Sequence, residues 1–143
     1  MDIEEIKDFR PLILVAEDDD SNFKLIKAII GKKCEVQWAR NGEEIVSLFL
    51  ENRDKADAIL MDIKMPVMNG YDAARAIRRS LHKQAGTIPI IAMTANAFSE
   101  DIRHSLTAGM NAHISKPVDM MLLEKTIRSI KSGGGSETQA DKE

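Results

Sequence analysis

The feature that most constrains this chain is a repeated alternation: five apolar runs of strand length, each followed by a stretch with helical spacing. The first run, LILVA at 12–16, is apolar at every position, the pattern of a strand buried on both faces. CEVQWA at 34–39 alternates as a second strand, AILM at 58–61 reads as a third, IPIIAM at 88–93 as a fourth and AHIS at 112–115 as a short fifth. Helix patterns fill the gaps. Phe23, Ile26 and Ile30 share one face of a segment that Ser21 can cap and Gly31 stops. Ile45, Leu48 and Phe49 follow the Asn41-Gly42 turn, and YDAARAIRRSL follows a loop marked by Met65-Pro66 and Asn69-Gly70. Ser99 caps SEDIRHSLTAGM, with Glu100 and Asp101 in its first turn, and Val118, Met121, Leu122, Ile127 and Ile130 mark the last helix. Such alternation predicts an α/β fold: a doubly wound five-stranded parallel sheet with right-handed crossovers.

The folded body is expected over 11–131. Residues 1–10 are a polar lead-in, and SGGGSETQADKE from Ser132 reads as a flexible Gly/Ser/acidic tail or linker stub. Composition excludes several functions. A length of 143 residues suits one domain. Twenty Lys/Arg against 23 Asp/Glu give a net charge of −3, no field to attract a polyanion, so direct nucleic-acid binding is not expected. The lone Cys34 excludes an internal disulfide framework and reads as a small core hydrophobe. No apolar run approaches the ~18 residues of a membrane span, and MDIEEIKDFR is acidic rather than signal-like. The expected location is cytoplasmic, with no membrane contact by this segment.

In open parallel sheets the ligand site lies beyond the carboxyl ends of the strands. Strand one delivers Glu17 and Asp18 to that edge, strand three Asp62, strand four Thr94 and strand five Lys116. Strand two ends in the less informative Ala39-Arg40-Asn41. Gathered carboxylates repel one another unless a hard cation neutralises them, and oxygen-only ligands suit Mg²⁺, or Mn²⁺ in its place. A Lys and a Thr hydroxyl beside that cation are suited to phosphoryl oxygens. The chemistry suggested is phosphoryl transfer, with Asp62 at the end of the central strand as the nucleophile. Any one of these acids alone reads as a solvated loop residue; five convergent residues do not.

At this point the motifs ILVAEDDDSN, ILMDIKMPVMNGYDAARAIR, IPIIAMTANAF and AGMNAHISKPVD, in this order and spacing, resemble the receiver domain of two-component response regulators. The last two are most like receiver domains of hybrid histidine kinases. The resemblance implies a flavodoxin-like (βα)5 sheet with strand order 2-1-3-4-5. It implies Mg²⁺-dependent transfer of a phosphoryl group from a phosphohistidine on a sensor histidine kinase or histidine phosphotransfer domain to Asp62. Asp18, Asp62 and the backbone carbonyl of Lys64 would bind the metal, Glu17 mainly through coordinated water. Thr94 would bond the phosphoryl group and move toward it as a switch. Lys116 would ion-pair with its oxygens, and the Lys116-Pro117 peptide would be cis. A phosphorylation-dependent dimer is also compatible, and the domain would be free or tethered to a membrane-bound hybrid kinase.

Three places depart from the family pattern. The acidic run Glu17-Asp18-Asp19-Asp20 is longer than the usual pair, so Asp19 is an alternative ligand. His113 stands three before Lys116, where Tyr or Phe commonly acts as a rotameric switch; it reads equally as an ordinary partly buried His. Lys64 and Asn96, each two residues after a site residue, fall where family side chains modulate phosphoryl lifetime. Arg75, Arg78, Arg79 and Lys83 read as a solvated helix face. Two other functions compete. A haloacid-dehalogenase-like phosphatase would need an acid where Lys64 stands. A pseudo-receiver would keep the fold for protein contacts only.

Overall fold

The computed structural model describes residues 10–80, 83–95 and 102–134. Five strands, β1 (Leu12–Ala16), β2 (Glu35–Ala39), β3 (Ala56–Asp62), β4 (Ile90–Thr94) and β5 (Ala112–Ser115), form one sheet in the order β2-β1-β3-β4-β5. Every pairing in it is parallel. The helices are α1 (Asp20–Ile30), α2 (Gly42–Glu51), α3 (Gly70–Arg79), α4 (Ile102–Ala108) and α5 (Met120–Ser129). A 3₁₀ turn spans Lys83–Gly86, and a wide π-type turn at Ile130–Gly134 extends α5 into the first residues of the segment read as a tail.

Alternation along the strands divides the core between two faces. Leu12, Leu14, Ala16, Ile59, Met61, Ile90 and Ala92 pack with Ile45, Phe49, Ala73, Ala74, Ile77 and Ala108, from α2, α3 and α4. Ile13, Val15, Ala58, Leu60, Ile91, Met93 and Ile114 pack with Phe23, Ile26, Ile30 and Leu123, from α1 and α5. Each fully buried large side chain contributes about 1.5–3 kcal/mol. Runs without polar interruption are what a sheet covered on both sides requires.

Several boundaries differ from the sequence expectation. The cap of α1 is Asp19 and not Ser21: Asp19 has extended dihedrals and its Oδ1 accepts from Asn22 N–H at 2.8 Å, so the helix starts at Asp20. Strand β3 runs past Asp57, which breaks the apolar pattern, because the Asp57 carboxylate accepts from Leu12 N–H at 2.8 Å. Strand β4 starts after Pro89, which has no N–H to donate but whose carbonyl accepts from Ile59 N–H at 2.9 Å. The Ser99 cap, Glu100 and Asp101 lie outside the described residues.

Arg78 corrects the reading of a solvated basic face. It follows Ala74 by four positions and Ile77 by one, so the apolar stripe of α3 carries it inward. Its guanidinium donates to the carbonyls of Gly109 and Ala85, each at 2.9 Å, and to Asn111 Oδ1 at 2.8 Å. Asn111 Oδ1 also accepts from Ile90 N–H, so Arg78 joins α3 to the start of β4 and the approach to β5. Burial lowers the Arg78 pKa to about 10. Gly109, at φ 101°, lies directly under this side chain, and a Cβ there would meet Arg78 Cγ at 2.8 Å. Arg78→Met keeps the aliphatic packing and leaves buried acceptors unpaired, and is expected to cost about 2–4 kcal/mol. Arg79→Ala, on the exposed side, should stay within about 0.5 kcal/mol. Urea unfolding midpoints measure both.

Candidate functional site

Because all five strands run the same way, their carboxyl ends share one edge. The register places Asp62 beside Met93 and Thr94 beside Ser115, so β3, β4 and β5 end at one level. Glu17 and Asp18 follow β1 immediately, and carboxylate oxygens of Glu17, Asp18 and Asp62 lie within 4.8 Å of one another. Glu17 is fully buried, Asp62 and Thr94 nearly so, while Asp18 is exposed. Lys116 Nζ lies 3.1 Å from Glu17 Oε1 and 3.3 Å from Asp62 Oδ2. The Lys116 N–H donates to the Thr94 carbonyl at 2.8 Å, and the following peptide to Pro117 is cis.

Local structure holds these groups. The Glu17 N–H donates to Ala39 O at 3.0 Å, and Glu17 Oε2 accepts from Asp19 N–H at 3.2 Å. Asp62 Oδ1 accepts from the Lys64 N–H at 3.3 Å. After Asp62 the chain reverses through a γ-turn, closed by Met68 N–H to Pro66 O at 2.7 Å, with Val67 at φ 70°. That turn brings Gly70 onto the backbone of the site, where a Cβ would lie 2.5 Å from the Asp62 carbonyl oxygen. Only glycine fits there. Asn69 caps α3 from the same loop, its side chain accepting from Asp72 N–H at 2.9 Å.

Burial pushes the Glu17 carboxyl above its ordinary value, and the neighbouring Asp62 adds to the rise, while Lys116 opposes it. For Lys116, burial pulls downward, but the Asp62 and Glu17 carboxylates outweigh it and leave the ammonium raised. One ammonium therefore serves two buried carboxylates, with a third at the rim. The donors are all hard oxygens on an open edge, so Glu17, Asp18 and Asp62 fit a Mg²⁺ or Mn²⁺ ion.

The expected residues Glu17, Asp18, Asp62 and Lys116 converge, and Thr94 is joined to Lys116 through its carbonyl. The two extra acids have other work: Asp19 caps α1, and Asp20 pairs with Arg40 at 2.8 Å. His113 is buried on the face of β5 turned to α4, its Nε2 2.8 Å from Ser105 Oγ. The Lys64 side chain is exposed, and Asn96 lies outside the described residues. Sequence reasoning missed the connection of Trp38 to the site. Its indole Nε1–H donates to the Glu17 carbonyl at 2.7 Å, its ring stacks on Phe23 at 4.1 Å, and the Arg40 guanidinium lies 4.0 Å from the ring centroid. The available signal was period two: Trp38 shares a strand face with Val36, toward α1.

A buried acid with a raised pKa loses folding stability as pH climbs from its unfolded value, near 4.5, through its folded value. Glu17→Gln in metal-free buffer is therefore expected to raise Tm at pH 7, with the gain vanishing below about pH 4.5. Thermal unfolding across pH checks the sign.

Comparison with known proteins agrees with this geometry. The family described as response regulator receiver domain matches residues 13–128. A hybrid signal transduction histidine kinase of Dictyostelium discoideum is 37% identical over 121 residues, 82% of this chain and 7% of the kinase. The chain thus spans a small part of such relatives. The receiver domain of a Pseudomonas aeruginosa sensor histidine kinase, crystallised with magnesium in its active-site cleft, is 35% identical with a TM-score of 0.72. The match covers 86% of this chain and 99% of that one. The receiver domain of a Saccharomyces cerevisiae response regulator, crystallised with its histidine phosphotransfer protein, is 31% identical with a TM-score of 0.72, over 84% and 88% of the chains. On sequence, fold and site together, this chain belongs to the response regulator receiver domain family.

Proposed function

We propose that this chain is the phosphoacceptor unit of a two-component phosphorelay, receiving a phosphoryl group from a partner's phosphohistidine on the Asp62 carboxylate. One observation carries the reading. Asp62 ends the central strand in the carboxylate cluster, with the Lys116 ammonium on one oxygen and the Lys64 N–H on the other.

In the transfer, an Asp62 oxygen closes a bond to phosphorus as the P–N bond breaks, its electron pair returning to the imidazole. The carboxylate is held in place beforehand, which is the main contribution a protein makes to phosphoryl transfer. Lys116, already within 3.3 Å of Asp62, follows the negative charge onto the phosphoryl oxygens. Thr94, at the end of the adjacent strand, is assigned the hydroxyl contact to the same oxygens. Mg²⁺ or Mn²⁺ held by Glu17, Asp18, Asp62 and the Lys64 carbonyl would neutralise charge on the phosphoryl oxygens and on the cluster.

The partner is a sensor histidine kinase or histidine phosphotransfer domain. An apolar groove lined by Leu25, Ile26, Pro117 and Val118 lies beside Lys116, with Leu25 49% exposed, and is the surface assigned to it. A shift of Thr94 toward the phosphoryl group would reach α4 through β5, where His113 bonds Ser105. Lys64 and Asn96 are assigned the tuning of phosphoryl lifetime. No helix among the described residues is long and apolar enough to cross a membrane. The proposed setting is cytoplasmic, free or as part of a longer kinase.

Incubation with acetyl phosphate and Mg²⁺, read by intact mass, tests this. One phosphoryl group is expected on the wild type and none on Asp62→Asn or after EDTA. A folded wild type that gains nothing under any condition contradicts the reading and favours a fold kept for protein contacts.

A further inference from the structure

The backbone of Glu17 is anchored on both sides. Its N–H donates to the Ala39 carbonyl at 3.0 Å, an extension of the β1–β2 ladder. Its carbonyl accepts the Trp38 indole N–H at 2.7 Å, a short bond. This carbonyl belongs to the peptide plane that leads directly into Asp18, the exposed acid of the cluster. Rotation of that plane would move both the Glu17 and the Asp18 side chains.

The indole itself has little freedom. Its ring lies parallel to Phe23 of α1, with an interplanar angle of 2° and centroids 4.1 Å apart. On it sits the Arg40 guanidinium, 4.0 Å from the ring centroid, and Asp20 holds that guanidinium through a 2.8 Å ion pair. Aromatic stacking and a cation on the ring each favour one orientation. Trp38 is thus fixed by two elements, α1 and the end of β2, and in turn fixes a backbone group between two acids of the site.

We propose that Trp38 is a positioning residue for the acidic cluster: its indole N–H holds the Glu17–Asp18 peptide in the orientation that gives the cluster its affinity for a divalent cation. The proposal rests on the reading of Glu17, Asp18 and Asp62 as a cation site. It adds a requirement outside that site, on the neighbouring strand. Groups that orient metal ligands characteristically change metal affinity when removed.

Calorimetric titration of the full chain with Mg²⁺ alone provides the test. Trp38→Phe keeps a ring against Phe23 and deletes the donor; its Mg²⁺ affinity should fall about tenfold. Phe23→Leu loosens the same stack but leaves the donor in place; its affinity should fall by clearly less than that of Trp38→Phe even where its Tm falls. The chain has one tryptophan, so its indole N–H gives a single NMR signal. That signal should shift during the Mg²⁺ titration with the calorimetric midpoint, a response that a purely structural tryptophan would not give. Unchanged affinity in Trp38→Phe, an equal loss in Phe23→Leu, or an indole signal that stays still while others move would each overturn the proposal. If Trp38→Phe does not fold, the wild-type indole signal decides. A wild type that takes up no Mg²⁺ overturns the cation-site reading itself, and this proposal with it.

Discussion

The rest of the site depends on one electrostatic constraint: Glu17, Asp18 and Asp62 are held within 4.8 Å by a rigid sheet that cannot spread them apart. Their separation is set by strand register and by the turn after β1, and like charges at that range repel one another. Lys116 is the fold's own answer. It reaches from the end of β5 across to Glu17 and Asp62, and its ammonium remains charged because those carboxylates outweigh its desolvation. A single ammonium does not neutralise three carboxylates. The remaining negative charge is what the proposed divalent cation would neutralise.

The fold supplies this edge with more than side chains. Each helix follows the carboxyl end of a strand, so helix N-termini gather there, with N–H groups that favour negative charge. Asp19, Asn41, Asn69 and Asp119 cap α1, α2, α3 and α5, each by a side-chain oxygen accepting a backbone N–H. The caps fix where the helices start and therefore how the loops carrying Asp18 and Lys64 run. Glycine completes the arrangement at position 70, where no side chain fits against the Asp62 carbonyl. At α4 the link to the sheet is of another kind, through the His113 imidazole and the Ser105 hydroxyl.

The strand runs and their acidic or basic endings were legible in the sequence because both follow short-range rules. Period separates helix from strand, and parallel topology brings strand ends together. That is why Glu17, Asp18, Asp62, Thr94 and Lys116 stand out in the sequence itself. What was not legible depends on distances across the fold. Asp19 looks like an alternative ligand and Asp20 like a spare acid until geometry gives one to a helix cap and the other to Arg40. Arg78 looks like surface charge until the carbonyls of Ala85 and Gly109 are found around it. Trp38 is silent in the sequence because nothing local in CEVQWA shows that its indole N–H meets a carbonyl on the adjacent strand's exit. Polar side chains that serve distant backbone groups leave no periodic trace.

If the shortage of positive charge at this edge governs the site, Lys116 and a divalent cation compensate the same carboxylates. The direct test is the thermal unfolding of wild type and Lys116→Met, with and without Mg²⁺. Lys116→Met is expected to melt below wild type in metal-free buffer, since a buried carboxylate left without its partner is costly. Mg²⁺ is expected to raise the Tm of Lys116→Met by more than it raises that of wild type. Equal Tm values without metal, or Mg²⁺ stabilising neither protein, would contradict it.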